Sequence, residues 1–256
     1  MIDTGQSVLH GLLWHPEGQG PFPAVLFNHG SGRTQDELRR LGPYEEQAQV
    51  LGPVFARHGY ELLYLFRRGI GLSADQGSSA VDLMSAEGAV HGQAGRNALQ
   101  LELLQGRELA DARAGLAFLR ARPLVDARRI ALVGHSFGGS LTLLLAEREP
   151  DVRAMVIFSG AGYSWERSPE LRTRLLAAVA RTTAPICFIH AVNDYSLGAG
   201  KALDAQLSRL GKEHRLLLYP AVGRTSEDGH SMVYLAVSQW EPDVFSFLGE
   251  FTRPAH

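Results

Sequence analysis

Cysteine is almost missing from this sequence, since Cys187 is the single one among 256 residues. One thiol cannot form an internal disulfide, so a secreted scaffold held together by disulfides is excluded. Cys187 lies in the apolar run PICFIHAV at 185–192. A small apolar residue in a buried strand suits this position better than a reactive thiol does.

Long apolar segments are also missing. No stretch approaches the roughly 18 uninterrupted apolar residues that indicate a membrane-spanning helix. Residues 1–18 lack a charged region followed by a long apolar one, so no secretory leader is predicted. We therefore expect a soluble, cytoplasmic protein that does not insert into a membrane.

Neither sign of charge is in excess: 25 Lys and Arg stand against 27 Asp and Glu, which gives a formal net charge of −2. Without a basic excess or a basic block, nucleic acid is not an expected partner. No HExxH motif or Cys/His cluster with metal-ligand spacing occurs, so we expect no metal and no other cofactor. Composition does not determine the oligomeric state.

The sequence does contain a series of short, nearly continuous apolar runs, at 24–28, 61–66, 130–134, 154–158, 186–192 and 215–219. Runs without alternation are typical of strands buried on both faces of a parallel sheet. Helical spacing separates them, and segment 7–16 is expected to add a strand at the sheet edge. The alternation predicts an α/β fold, and no linker divides the chain, so we expect one domain over 1–256.

Region 67–98 shows no clean helical or strand period, because glycines and other small residues interrupt it. We expect it to be the longest irregular segment and to act as a lid-like insertion in the domain. Only residues 159–185 separate the apolar runs 154–158 and 186–192, which suffices for a helix and its connections. No large cap domain is therefore expected, and region 67–98 is expected to roof the site.

The segment RIALVGHSFGGSLTLLLAE at 129–147 places a serine, Ser136, between a predicted strand and a predicted helix. With 28 Gly in the chain, a Gly-x-Ser-x-Gly match by itself is weak evidence. Its context is stronger: in a sharp turn from strand to helix, a Cβ at Gly134 or Gly138 would clash with neighbouring backbone. The turn would expose the Ser136 hydroxyl at the start of a helix, where free N–H groups can stabilise an anion.

Four segments, in this order and spacing, resemble the α/β-hydrolase fold and most closely its dienelactone-hydrolase-like serine esterase branch. They are NHGSG at 28–32, VDARRIALVGHSFGG at 125–139, HAVND at 190–194 and DGH at 228–230. The resemblance spans nearly the whole chain. It implies a mostly parallel central sheet flanked by helices, and a serine hydrolase that cleaves small-molecule esters. A pocket roofed by region 67–98 rather than by a cap domain would be shallow, so we expect a preference for esters of short to medium acyl length.

The resemblance also implies the roles of three residues. Ser136 would be the nucleophile, His230 the general base and then acid, and Asp194 the carboxylate that orients the imidazole. Asp228 is the alternative carboxylate, since it lies two residues before His230. Its closeness in sequence favours a role in shaping the loop.

By the same resemblance, the backbone N–H of Phe137 is one oxyanion donor. The other would come from the HGSG loop, with Ser31 expected and Gly30 or Gly32 as alternatives. Residues beside these groups are expected to border the bound substrate: His29, Gly30, Gly32 and His135.

One departure from the family bears on the substrate. Dienelactone hydrolase itself uses a cysteine nucleophile where this chain has Ser136, so general ester hydrolysis is expected rather than lactone hydrolysis. A thioesterase, lactonase or peptidase of the same fold is the alternative, because the three residues do not select the acyl donor. A non-catalytic protein that binds a small ligand is a further alternative, although such proteins usually lose part of the triad.

Overall fold

The apolar runs form one sheet in the computed structural model, which describes residues 1–31 and 43–253. Its strands are β1 (Ile2–Asp3), β2 (Val8–Trp14), β3 (Phe22–Asn28), β4 (Glu61–Phe66), β5 (Val125–His135), β6 (Met155–Phe158), β7 (Ile186–Ala191) and β8 (His214–Tyr219). They lie in the order β1-β2-β4-β3-β5-β6-β7-β8. Strands β3 to β8 pair in parallel, whereas β1 and β2 are antiparallel.

The predicted α/β fold with a mostly parallel sheet is confirmed. Each apolar run ends within one residue of the end of a strand, and all of run 61–66 is strand β4. Segment 7–16 forms β2, as predicted, but the short β1 lies outside it at the sheet edge.

Helices cover both faces of the sheet. They are α1 (Tyr44–Arg57), α2 (Ala80–Gln105), α3 (Arg107–Arg120), α4 (Phe137–Arg148), α5 (Ser164–Arg167), α6 (Pro169–Arg181), α7 (Gly198–Arg209), α8 (Ser226–His230), α9 (Met232–Leu235) and α10 (Val237–Thr252). A 3-10 helix spans Gly71–Gln76. Because α5 and α6 occupy most of 159–185, no cap domain is inserted there, as predicted.

The sheet separates two hydrophobic clusters. Along β3, Leu26 packs into one cluster, while Val25 and Phe27 pack into the other, and all three are fully buried. This is the period-2 alternation of a strand that has apolar layers on both faces. The two layers hold the carboxyl ends of β3, β5 and β7 at one rigid edge.

Region 67–98 differs from its prediction, because its second half is helical. Helix α2 begins at Ala80, after Ser79 accepts a hydrogen bond from the Asp82 N–H, and runs to Gln105. One glycine interrupts the helix: the backbone of Gly92 is not helical, with φ 66° and ψ −164°. Packing of buried residues such as Met84, together with the high helical propensity of the alanines, outweighs the cost of the glycines.

Cys187 lies in β7 and is fully buried, and burial raises the pKa of its thiol to about 12. The thiolate fraction near neutral pH is therefore negligible. We expect a disulfide reagent such as dithionitrobenzoate to leave Cys187 unmodified in the native protein and to titrate one thiol after unfolding in guanidinium chloride. Rapid labelling of the folded protein would contradict this expectation.

None of the helices within residues 1–31 and 43–253 combines the length and the apolar character required to cross a membrane.

Candidate active site

Ser136 lies in the sharp turn between β5 and α4, and its backbone has φ 55° and ψ −118°. Two glycines make this turn possible. A Cβ on Gly138 would lie 2.0 Å from the Asn28 carbonyl oxygen, and one on Gly134 would lie 2.4 Å from the Gly138 oxygen. The predicted steric reason for both glycines is confirmed, and the strained turn holds the Ser136 side chain at the sheet edge.

The structure brings Ser136, His230 and Asp194 into one hydrogen-bonded chain. His230 Nε2 lies 2.9 Å from Ser136 Oγ, and His230 Nδ1 lies 2.7 Å from Asp194 Oδ1. An ionised carboxylate only accepts hydrogen bonds, so His230 donates its Nδ1–H to Asp194. In the neutral imidazole, Nε2 is then free to accept the Ser136 hydroxyl proton.

Asp194 is nine per cent exposed and receives three donors. His230 Nδ1 and the Tyr195 backbone N–H donate to Oδ1, each at 2.7 Å, and His190 Nδ1 donates to Oδ2 at 2.7 Å. Burial opposes ionisation of the carboxyl, but the hydrogen bonds from His190 and His230 outweigh it and hold the pKa of Asp194 below its usual range. Asp194 is therefore ionised at neutral pH.

Asp228 does not reach the imidazole in this way. It belongs to a capping box at the start of α8, in which its side chain accepts the Thr225 N–H at 3.0 Å and Thr225 Oγ1 accepts the Asp228 N–H. Asn193 ties this loop to the end of β7, because its amide group donates to the carbonyl oxygens of Val222 and Thr225. The loop that carries His230 is thus fastened beside Asp194.

The predicted oxyanion donors lie on the same cavity as Ser136. Gly30, Ser31 and Phe137 line it together, and a Cβ on Gly30 would lie 3.8 Å from the Ser136 Cβ. Phe137 is the first residue of α4, a position whose N–H has no partner within the helix. Gly32, predicted as a substrate contact and as an alternative donor, lies outside the described residues.

The two predicted histidine contacts differ from each other. His135 lines the cavity and donates its Nε2–H to the His230 carbonyl oxygen at 2.9 Å. His29, in contrast, is fully buried and does not line the cavity. The expected contact of His29 with substrate is therefore corrected: its ring faces the protein, where it bonds to the Gly30 carbonyl and to the Arg67 N–H.

The cavity has a volume of about 310 Å³. Residues of α2 line part of it, among them Val81, Met84 and Arg96. The Tyr195 ring, which also lines the cavity, stacks on the His230 imidazole with centroids 4.2 Å apart, and Tyr163 stacks on Tyr195 at 4.0 Å. Such a volume is near the lower end for small-molecule sites.

Sequence reasoning missed three residues that support the site: His190, Asn193 and Tyr195. All belong to HAVNDY at 190–195, where a buried strand ends in polar residues. This change from apolar to polar residues at the end of a strand is the sequence signal that could have indicated further site residues. The family resemblance pairs Asp194 with His230 alone and assigns no role to His190.

Within the part of the chain that the structure describes, no group of three or more His, Cys, Asp or Glu side chains could hold a metal ion.

Comparison with known proteins identifies a family for this chain. The dienelactone hydrolase family model matches residues 73–250. A cutinase of Thermobifida alba, Est1, is 25% identical over 178 residues, which are 69% of this chain and 48% of the cutinase. The chain therefore spans about half the length of that relative.

Solved structures share the fold. A dienelactone hydrolase-like promiscuous phosphotriesterase from metagenomic libraries is 20% identical, with a TM-score of 0.66 over 98% of this chain and 96% of its own. The acylaminoacyl peptidase of Pyrococcus horikoshii is 19% identical, with a TM-score of 0.65 over 98% of this chain and 41% of its own. At such identities the likeness shows the α/β-hydrolase fold. The family model covers well over half of the chain, and the chain belongs to the dienelactone hydrolase family.

Proposed function

We propose that this protein is a serine hydrolase that cleaves carboxylic esters through an acyl-enzyme intermediate. The observation that carries the proposal is the continuous chain of hydrogen bonds from Ser136 through His230 to Asp194, at 2.9 and 2.7 Å. A serine hydroxyl is a weak nucleophile, and an oriented imidazole within hydrogen-bond reach is what activates it.

In the first half-reaction, Ser136 Oγ attacks the ester carbonyl carbon while its proton passes to His230 Nε2. The tetrahedral intermediate collapses, the alcohol leaves with that proton, and the acyl group stays on Ser136. In the second half, His230 takes a proton from water, the resulting hydroxide attacks the acyl-enzyme, and Ser136 is regenerated with release of the acid. Asp194, ionised throughout, stabilises the imidazolium that forms in each half.

The developing oxyanion needs donors that are fixed before the reaction. Phe137 and Ser31 border the cavity from two different elements, which supports their N–H groups as this pair. Phe137 also lies at the N-terminus of α4, where the helix dipole favours negative charge. The small-molecule ester would then lie with its carbonyl carbon beside Ser136 Oγ.

The relatives support hydrolysis in general. They include a cutinase, a phosphotriesterase and an acylaminoacyl peptidase, so proteins of this fold hydrolyse several kinds of acyl or phosphoryl substrate. The cavity of about 310 Å³ favours a small substrate over a long peptide. A fluorophosphonate probe tests the class directly: we expect stoichiometric labelling at Ser136 in the folded protein, whereas an inert Ser136 would favour a non-catalytic binder.

The cavity size also predicts the acyl length. A buried methylene contributes about 0.8 kcal/mol, but methylenes that project into water contribute little. We expect kcat/KM on p-nitrophenyl esters to rise from acetate and to fall beyond about eight to ten carbons, as for a shallow pocket. Measurement below the aggregation limit of each ester checks this, and a rate that still climbs at palmitate would contradict it.

A further inference from the structure

Arg67 is a fully enclosed arginine behind the loop that carries Gly30 and Ser31. Its side chain is 1% exposed, and its Nε donates to Glu108 Oε2 at 2.8 Å, an equally buried carboxylate. A buried ion pair of this kind is costly to desolvate and by itself is weak evidence for stability. The remaining contacts of the guanidinium indicate what else it does.

The Nη2 group of Arg67 donates to two successive carbonyl oxygens, that of His29 at 2.9 Å and that of Gly30 at 2.8 Å. His29 gives the Gly30 carbonyl oxygen a second donor. Because the Arg67 backbone N–H donates to His29 Nε2 at 3.2 Å, the proton of the neutral ring is on Nδ1, which donates to the Gly30 oxygen at 2.7 Å. The Gly30 carbonyl therefore has two donors on its buried side.

The direction of one carbonyl determines the direction of the next N–H. A trans peptide is planar, so the Gly30 C=O and the Ser31 N–H point in opposite directions. The carbonyl points to Arg67 and His29, which are buried, whereas Gly30 and Ser31 border the cavity. The Ser31 N–H is thereby turned away from the protein interior and toward the cavity side.

Arg67 also contacts the other element of the site. Its guanidinium carbon lies 5.6 Å from the centroid of the Phe137 ring, within the range of a cation–π contact. One side chain thus links the loop that bears the Ser31 N–H to the residue that bears the second donor. Flipping the Gly30–Ser31 peptide would break both hydrogen bonds to the Gly30 oxygen, the charge-assisted one from Arg67 Nη2 and the one from His29 Nδ1.

We infer that Arg67 is a positioning residue for the oxyanion hole: it holds the Gly30–Ser31 peptide in the orientation that presents the Ser31 N–H to the tetrahedral intermediate. The inference rests on the proposed function and adds a residue to it. Arg67 does not touch substrate, and its effect is on the transition state rather than on ester binding.

The test compares two matched double variants. In Arg67→Met with Glu108→Leu, both members of the buried pair become apolar, so neither leaves the other as an unpaired buried charge. Arg107, which also pairs with Glu108, is 21% exposed and keeps access to solvent. The control is Arg68→Met with Asp111→Leu. In this neighbouring pair Asp111 is fully buried and Arg68 is 11% exposed, and among the described residues neither contacts the Gly30 carbonyl. Arg67→Lys serves as the conservative variant, since it keeps the charge but loses the planar fork.

We expect the Arg67 double variant to lower kcat about 10²-fold with KM within about twofold, as when one oxyanion donor is lost. The inhibition constant of a trifluoromethyl ketone, whose hemiketal oxyanion occupies the hole, should rise by the same factor. The control should keep kcat and the inhibition constant within about threefold of the unmodified protein. For Arg67→Lys, both constants should lie between those of the control and those of the Arg67 double variant. A purely structural role would lower the melting temperature without this parallel change.

Unchanged kcat in folded Arg67 variants would overturn the inference and leave the proposed function intact, provided that Ser136→Ala abolishes activity. Activity that survives in Ser136→Ala would instead overturn the proposed function. If the double variant fails to fold, the same two constants measured for Arg67→Lys decide the matter, since its charge still pairs with Glu108.

Discussion

Replacing Ser136 with alanine is expected to lower kcat/KM for ester hydrolysis by about four to six orders of magnitude in a protein that remains folded. The hydroxyl, the imidazole and the carboxylate act as a unit, so removal of the nucleophile removes nearly everything that the other two contribute. Hydrolysis of p-nitrophenyl acetate, with the melting temperature measured beside it, checks this result.

Ser140 supplies the matched control. It lies one turn further along α4, is 1% exposed, and has a hydroxyl without a hydrogen-bond partner in the described residues. Ser140→Ala should stay within about threefold of the unmodified protein, because it removes a serine hydroxyl from the same helix without touching His230. Activity of Ser136→Ala within about tenfold of the parent would show that another group is the nucleophile.

Asp194→Asn is expected to have the second largest effect, a loss of about 10³ to 10⁴ in kcat. Asparagine keeps the size of the side chain but offers an amide that can donate to the imidazole. It would thereby favour the tautomer of His230 that carries its proton on Nε2, which cannot accept the Ser136 proton. Steady-state kinetics at fixed pH, with circular dichroism as the folding check, measures the loss.

Asp228→Asn separates the two carboxylates that the sequence offers. Asp228 accepts backbone N–H groups of the α8 cap, so its amide variant should cost some stability and less than about tenfold in rate. A larger loss of rate in Asp228→Asn than in Asp194→Asn, with both proteins folded, would transfer the orienting role to Asp228.

Local patterns were sufficient to predict the sheet. An apolar run such as 61–66 is buried on both faces, and few alternatives to a central strand exist for it. The turn at Ser136 was equally accessible, because glycines that relieve a backbone clash leave a signal in sequence. The prediction for region 67–98 was wrong over α2, since its glycines obscure the helical pattern in sequence, whereas tertiary packing of Met84 and its neighbours stabilises the helix.

Parts of the site depend on contacts between distant segments, and these carry no local signal. Arg67 stands in an Arg-Arg pair, and nothing in sequence tells which arginine faces Glu108 and which faces Asp111. His190 lies in an apolar strand, four residues before Asp194. Its contact with the second carboxylate oxygen depends on the fold of the turn after β7.

The positions of the three side chains along the chain bear on how activity returns when the protein refolds. Ser136 and His230 are 94 residues apart, and Asp194 and His230 are 36 apart. Strands β6 to β8 lie between Ser136 and His230 along the chain, and they pair only when the sheet is assembled. Long-range pairing of this kind forms slowly, because loop closure must precede the contacts that reward it. Recovery of ester hydrolysis should therefore lag behind recovery of helical circular dichroism, so enzymatic turnover would report the last stage of folding.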